Sequence, residues 1–225
     1  MIPFKDDNPA KTVPYVTVGL IATNLFVFSY MLMLGDRGSD AFVMEYSVVP
    51  ARLFPDISGM NLAGLVTPFS SMFMHGGFLH IAGNMLYLWI FGDNIEDALG
   101  HFGYLVFYLG CGVAAVMLHS LMNPGSTLPM LGASGAVAGV LGAYMVLYPK
   151  ARVWTVLFFV FFWQVVKLPA VLVIGLWILL QVLSGVGTLG SETGGGVAWF
   201  AHIGGFIAGL VLLAVMGGRK KRARR

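Results

Sequence analysis

Six apolar stretches, most of them close to the twenty residues a helix needs to cross a bilayer core, leave this chain few folds to choose from. They lie at about residues 14–34, 80–98, 102–121, 134–148, 168–184 and 198–217. Composition agrees. The chain is 58% hydrophobic and 10% charged, where a soluble domain carries about 25% charged residues. The expected fold class is all-α, a polytopic membrane protein with six transmembrane helices. The fourth stretch is short, so its start is expected below the membrane surface. One further stretch, "VWTVLFFVFFWQVV" at 153–166, falls short of a span and reads either as an interfacial segment or as a seventh helix. The run from Val13 to Leu34 follows Lys5 and Lys11 as in a secretory signal. It is about twice the usual apolar length and no A-x-A site follows, so it reads as a retained first span. The single cysteine, Cys111, cannot form an internal disulfide and reads as a small buried hydrophobe.

Charge sets the orientation. With six spans both termini share one side, together with Lys5, Lys11, Lys150, Arg152, Lys167 and the basic tail "GRKKRARR". The other side keeps only Arg37 and Arg52. Basic residues gather in cytoplasmic loops, so both termini are expected in the cytoplasm, in a prokaryotic cell membrane. The chain divides into a cytoplasmic N-terminal segment (1–12), a membrane domain (13–217) and a basic cytoplasmic tail (218–225). With no soluble domain behind it, the tail suits anionic lipid better than nucleic acid. The connection between the first two spans, residues 35 to about 79, is long, proline-bearing and apolar, and is expected to lie partly in the outer leaflet.

In this orientation the second, fourth and sixth spans all start on the outer side. Each carries polar residues there, and polar groups inside spans are functional candidates by default. His80 and Asn84 are four apart in "HGGFLHIAGNMLYLW", on one helix face, with His75 further out. Ser134 opens the fourth span in "LGASGAVAGVLGAY", and His202 lies near the start of the sixth in "WFAHIGGFIAGL". Small residues recur every four positions beside them, as Gly135, Gly139 and Ala143 and as Ala201, Gly205 and Gly209. Such faces let membrane helices approach closely, which would bring Ser134 and His202 within hydrogen-bond reach. On spacing alone, a packing role for these small residues and a nucleophilic role for Ser134 both stand. A phosphate loop is disfavoured, because neither the dinucleotide fingerprint nor a P-loop lysine is present. The glycine directly after Ser134 also departs from the G-x-S-x-G elbow of soluble hydrolases.

Taken together, "GASG" at 132–135, "HGGFLHIAGNMLYLWIFGD" at 75–93 and "AHIGG" at 201–205 resemble the rhomboid intramembrane serine proteases, in the family's order and over roughly residues 65–210. The resemblance implies a six-helix rhomboid-like bundle that hydrolyses peptide bonds in or beside transmembrane segments of substrate proteins. It implies Ser134 as nucleophile and His202 as its base. It implies that His80 and Asn84 help bind the oxyanion, with Gly132 and His75 as motif positions. Many relatives carry an aromatic residue four positions after the serine that stacks on the catalytic histidine. Here that position is Ala138.

The chemistry suits these residues. A serine hydroxyl needs a base to take its proton, and a neutral histidine does this before protonating the leaving amine. The acidic residues Asp93, Glu96 and Asp97 lie at the far end of the second span, about 20 Å from His80, and are expected to serve helix-end solvation and salt bridging. Glu192 lies in an outer loop. A Ser–His dyad is therefore expected, with the backbone N–H of Ser134 as a further oxyanion donor because amides at a helix start lack intrahelical partners. His101 and His119 read as structural or carry no assigned role. No cofactor or metal is called for, since no H-E-x-x-H signature or accompanying carboxylate is present. The loop "GVGTLGSETGGG" at 185–196 reads equally as a flap or as a plain connector. The alternative reading is a non-catalytic rhomboid-like protein that binds client transmembrane helices. A transporter is disfavoured because the polar groups cluster at one end of the spans and leave the midplane bare.

Overall fold

The computed structural model describes residues 1–53, 62–158, 162–187 and 198–217. Six long helices form where the apolar stretches stand: α1 (Tyr15–Met33), α5 (Phe78–Leu99), α6 (His101–Met122), α7 (Ser134–Leu147), α8 (Ala170–Gly187) and α9 (Trp199–Val215). Three of them, α1, α6 and α8, are long and apolar enough to cross a membrane by themselves, while α7 and α9 are apolar but shorter. At 14 residues, α7 is about 21 Å long at 1.5 Å per residue. It is also the centre of the molecule, since every residue from Gly135 to Tyr144 is buried. A helix that is apolar all round belongs in a core. Large apolar side chains on α1 and α8 remain exposed instead, among them Phe26, Met33, Leu172 and Leu183.

The connection after α1 is more ordered than a loop. It holds α2 (Gly35–Tyr46), α3 (Pro50–Leu53), α4 (Leu62–Ser70) and a 3-10 turn over Ser71–Phe73. Val48 is fully buried and exchanges backbone hydrogen bonds with Met130, 3.2 and 2.7 Å long. Ser71 accepts from the N–H of Gly132 at 2.9 Å. The connection therefore braces the chain just ahead of Ser134.

The all-α expectation needs correction. The described residues of the 153–166 stretch form no seventh helix. They form most of a hairpin, β2 (Arg152–Phe158) and β3 (Trp163–Pro169), paired antiparallel from Arg152↔Pro169 to Phe158↔Trp163. A third strand, β1 (Ile2–Asp6), lies along the other edge of β2, so the first residues of the chain pack into the fold. The cause is local chemistry. The stretch is dense in β-branched and aromatic residues, which suit a pleated surface, and alternate residues Val153 and Thr155 are buried. Lys167 lies 4.0 Å over the ring of Trp154 on the neighbouring strand. The register of β1 breaks between Pro3 and Lys5, as expected where a proline without an N–H sits in an edge strand. The strand runs to Pro169, so α8 starts two residues later than the fifth apolar stretch, at Ala170.

The acidic trio is also more than solvated helix end. Glu96 is buried. Its carboxylate accepts from the N–H groups of Val16 and Thr17 at 2.9 and 2.8 Å, from the Thr17 hydroxyl at 2.7 Å and from Nδ1 of His101 at 2.6 Å. It thus caps the start of α1 from α5, a favourable place for negative charge. Asp97 accepts from Thr12 at 2.8 Å. The tail from 218 onward and nearly all of the 185–196 loop lie outside the described residues.

Candidate active site

The small-residue faces do bring α7 and α9 together. A methyl group on Gly205 would stand 1.9 Å from the carbonyl oxygen of Gly135, and one on Gly209 would stand 2.2 Å from that of Gly139. On its other side, Gly139 leaves no room beside Cys111. At these positions only glycine admits the neighbouring backbone.

This approach sets the geometry at the N-terminal ends of α7 and α9. Nε2 of His202 lies 2.8 Å from Oγ of Ser134. Nδ1 of the same ring lies 2.7 Å from Oε1 of Gln181 on α8. The tautomer with its proton on Nδ1 satisfies both bonds: it donates to the glutamine oxygen and accepts the serine hydroxyl at Nε2. Trp177, one turn before Gln181, lies against the same imidazole with ring centres 5.6 Å apart, and Trp199 meets it edge-on at 6.4 Å. The aromatic restraint that buried Ala138 cannot give therefore comes from α8 and α9. Spacing within the serine motif holds no trace of it. A lone glutamine inside an otherwise apolar span is the available signal.

His80 and Asn84 join the site from α5. Together with Ser134, His202, His119 and Trp177 they line one cavity of about 890 Å³. Gly132 has φ +126°, and a side chain there would strike Nε2 of His80 at 2.7 Å and approach Oγ of Ser134 at 3.7 Å. The bare glycine thus lets the imidazole and the hydroxyl crowd one point. Nδ2 of Asn84 is buried and has no hydrogen-bond partner among the described residues. Such an orphan donor is costly unless something else occupies the cavity to receive it. Residue Ala133 offers no side-chain cap to α7, so the amides at the start of that helix keep no intrahelical or capping partner, and Ser134 lines the cavity there.

His75 stands behind this layer. It is buried, its ring meets that of His80 edge-on at 5.0 Å, and its Nε2 accepts a long 3.5 Å bond from the N–H of Ala133. It braces the serine loop. His101 is spent on Glu96, at the opposite end of α5. His119, structural or without an assigned role on sequence alone, lines the cavity with its Nδ1 unpartnered among the described residues. No three His, Cys, Asp or Glu side chains among the described residues gather as metal ligands.

A model of the Rhomboid domain matches residues 63–219, more than half of the chain. The chain belongs to the rhomboid family. Its relatives include the Rhomboid protein 1, mitochondrial, of Saccharomyces cerevisiae, 40% identical over 96 residues, which are 40% of this chain and 27% of the yeast protein. The Rhomboid-like protein 11, chloroplastic, of Arabidopsis thaliana is 30% identical over 152 residues, 64% of this chain and 50% of the plant protein. The human Presenilin-associated rhomboid-like protein, mitochondrial, is 37% identical over 84 residues, 36% of this chain and 22% of that protein. The matched stretch spans half or less of each of these relatives. Family membership and the long apolar helices together make this rhomboid an integral membrane protein.

Proposed function

We propose that this rhomboid is an intramembrane serine endopeptidase that cuts protein substrates in or next to a transmembrane segment. The observation that carries the reading is the 2.8 Å contact between Ser134 and His202 at the wall of the cavity that His80 and Asn84 also line. A protein that only bound client helices would need the cavity but not that contact.

In the proposed mechanism Oγ of Ser134 attacks the scissile carbonyl as Nε2 of His202 takes its proton. The negative charge that develops on the carbonyl oxygen falls among the N–H of Ser134, Nδ2 of Asn84 and the ring of His80. The starts of α5, α7 and α9 all line this space, so their dipoles add positive potential there. One such donor typically contributes 10²–10³ in rate. The imidazolium then protonates the leaving amine. Water entering the cavity attacks the acyl-serine with His202 again as base, and Ser134 is restored.

The six long helices are proposed to span the bilayer with both termini cytoplasmic, basic residues towards anionic lipid and the cavity open to the outer side. A prokaryotic cell membrane draws no support from relatives named as mitochondrial and chloroplastic proteins, so the proposal is confined to this orientation. A carbonyl inside a membrane helix is hydrogen-bonded and out of reach. Cleavage should therefore require local unwinding near the outer end of the client helix. Gly or Pro just inside the cut should favour it, because each weakens a helix. In a client series, replacing those breakers by Leu is expected to slow cleavage, and equal rates would remove unwinding as the limiting step. The reading as a whole is tested by incubating the purified protein with a panel of single-span membrane proteins. The wild type is expected to release fragments that Ser134→Ala does not.

A further inference from the structure

Gln181 is a polar side chain in contact with His202 that the mechanism above leaves without a task. It is only 8% exposed, in a helix of otherwise apolar and small residues apart from Ser184. Its amide oxygen stands 2.7 Å from Nδ1 of His202, across the α8–α9 interface. Trp177, four residues earlier and so on the same face of α8, packs against the same imidazole. One face of one helix thus holds the ring at its edge and on its side.

We propose that Gln181 is a positioning residue for His202, which makes the site a Ser134–His202–Gln181 relay with a neutral third member. The proposal rests on the proteolytic reading. An amide oxygen only accepts. It therefore keeps the proton on Nδ1 and leaves the lone pair of Nε2 pointing at Ser134, the orientation a serine mechanism requires. No carboxylate among the described residues contacts His202, so the imidazolium formed in the reaction is met by a dipole rather than by a charge. Trp177 restricts the tilt of the ring, as a residue at the position of Ala138 would have done from α7.

Two substitutions test this. Gln181→Met keeps length and volume but removes the acceptor, while Gln181→Glu keeps an acceptor whether or not it is ionised. The expected result for Gln181→Met is a fall in kcat of about 10–10²-fold, the scale of a misplaced catalytic group. KM should stay within about twofold, and the thermal midpoint in detergent should be close to that of the wild type. Gln181→Glu should recover most of the lost kcat. Nitrogen NMR of the His202 ring in the purified protein gives a readout that does not depend on turnover. The Nδ1–H tautomer is expected in the wild type and in Gln181→Glu, and a mixed population in Gln181→Met. An unchanged tautomer together with unchanged kcat in Gln181→Met would overturn the proposal. So would equal losses of activity and stability in both variants, which mark a packing role. Failure of the wild type to cleave any client, with the tautomer still shifting in Gln181→Met, would count against the proteolytic reading and leave the positioning contact intact.

Discussion

Asn84 carries the sharpest consequence at the scale of single residues. Its amide nitrogen is buried without a partner among the described residues, and it lines the same cavity as Ser134, so in the proposed mechanism it gains a bond when negative charge forms there. Asn84→Ala is expected to lower kcat by about 10–10³ with a smaller effect on KM, as befits a transition-state contact. Steady-state kinetics check this, and a change confined to KM would move Asn84 to substrate binding. Ser134, His202, His80 and Asn84 are legible in the sequence because each is a polar residue near the start of an apolar run. Gln181 leaves only the signal of a lone glutamine in an apolar run, and which residue it serves is settled by the neighbour that α9 presents. Ala138 points to a missing restraint, but Trp177 is invisible as its substitute because a helix crossing, not spacing, brings it to His202.

Between elements, the decisive feature is the α7–α9 crossing. The four-residue recurrence of small residues announces it, because that period repeats on one helix face. Gly205→Ala would put a methyl group against the Gly135 carbonyl, three residues from His202 in sequence. Overpacking of this kind typically costs about 1–3 kcal/mol. Both the thermal midpoint and activity are expected to fall. Gly175, on α8, has open space where a methyl group would stand, with nothing within 4 Å, so Gly175→Ala serves as the control. It should hold or slightly raise the midpoint, since glycine in a helix is unfavourable relative to alanine. Equal midpoints for Gly205→Ala and the control would contradict the close crossing. The hairpin of β2 and β3 is the least legible element. Its composition is apolar enough for a membrane helix, and its β-branched and aromatic residues suit a strand equally, while the third strand beside it, β1, comes from more than a hundred residues away. The capping of α1 by Glu96 is hidden for the same reason, as the two lie about 80 residues apart.

For the whole molecule, the first strand ties the N-terminal segment to the helices. Asp6 accepts a 2.5 Å hydrogen bond from the hydroxyl of Tyr144 on the central helix. Burial pushes its carboxyl from the ordinary 3.8 up to about 6. The bond from Tyr144 works against that rise, and the nearby charge of Asp93 adds to it. The native state therefore keeps a proton that the unfolded chain loses between those values. Stability from the protonated carboxyl is complete below about pH 4 and is lost as pH rises through about 6. The thermal midpoint of the wild type is expected to drop relative to Asp6→Asn over that window and to run parallel to it above. A constant gap at all pH values would contradict the assignment.

The claim that joins these scales is that the fold turns Ser134 into a nucleophile by seating it against His202. Its most direct test is covalent labelling of the purified protein with a fluorophosphonate, followed by intact mass and peptide mapping. A single adduct on Ser134 is predicted, absent in Ser134→Ala and formed at least about a hundredfold more slowly in His202→Ala when that variant remains folded, in keeping with general-base catalysis. An adduct on another residue, or labelling of Ser134 at the wild-type rate without His202, would contradict it.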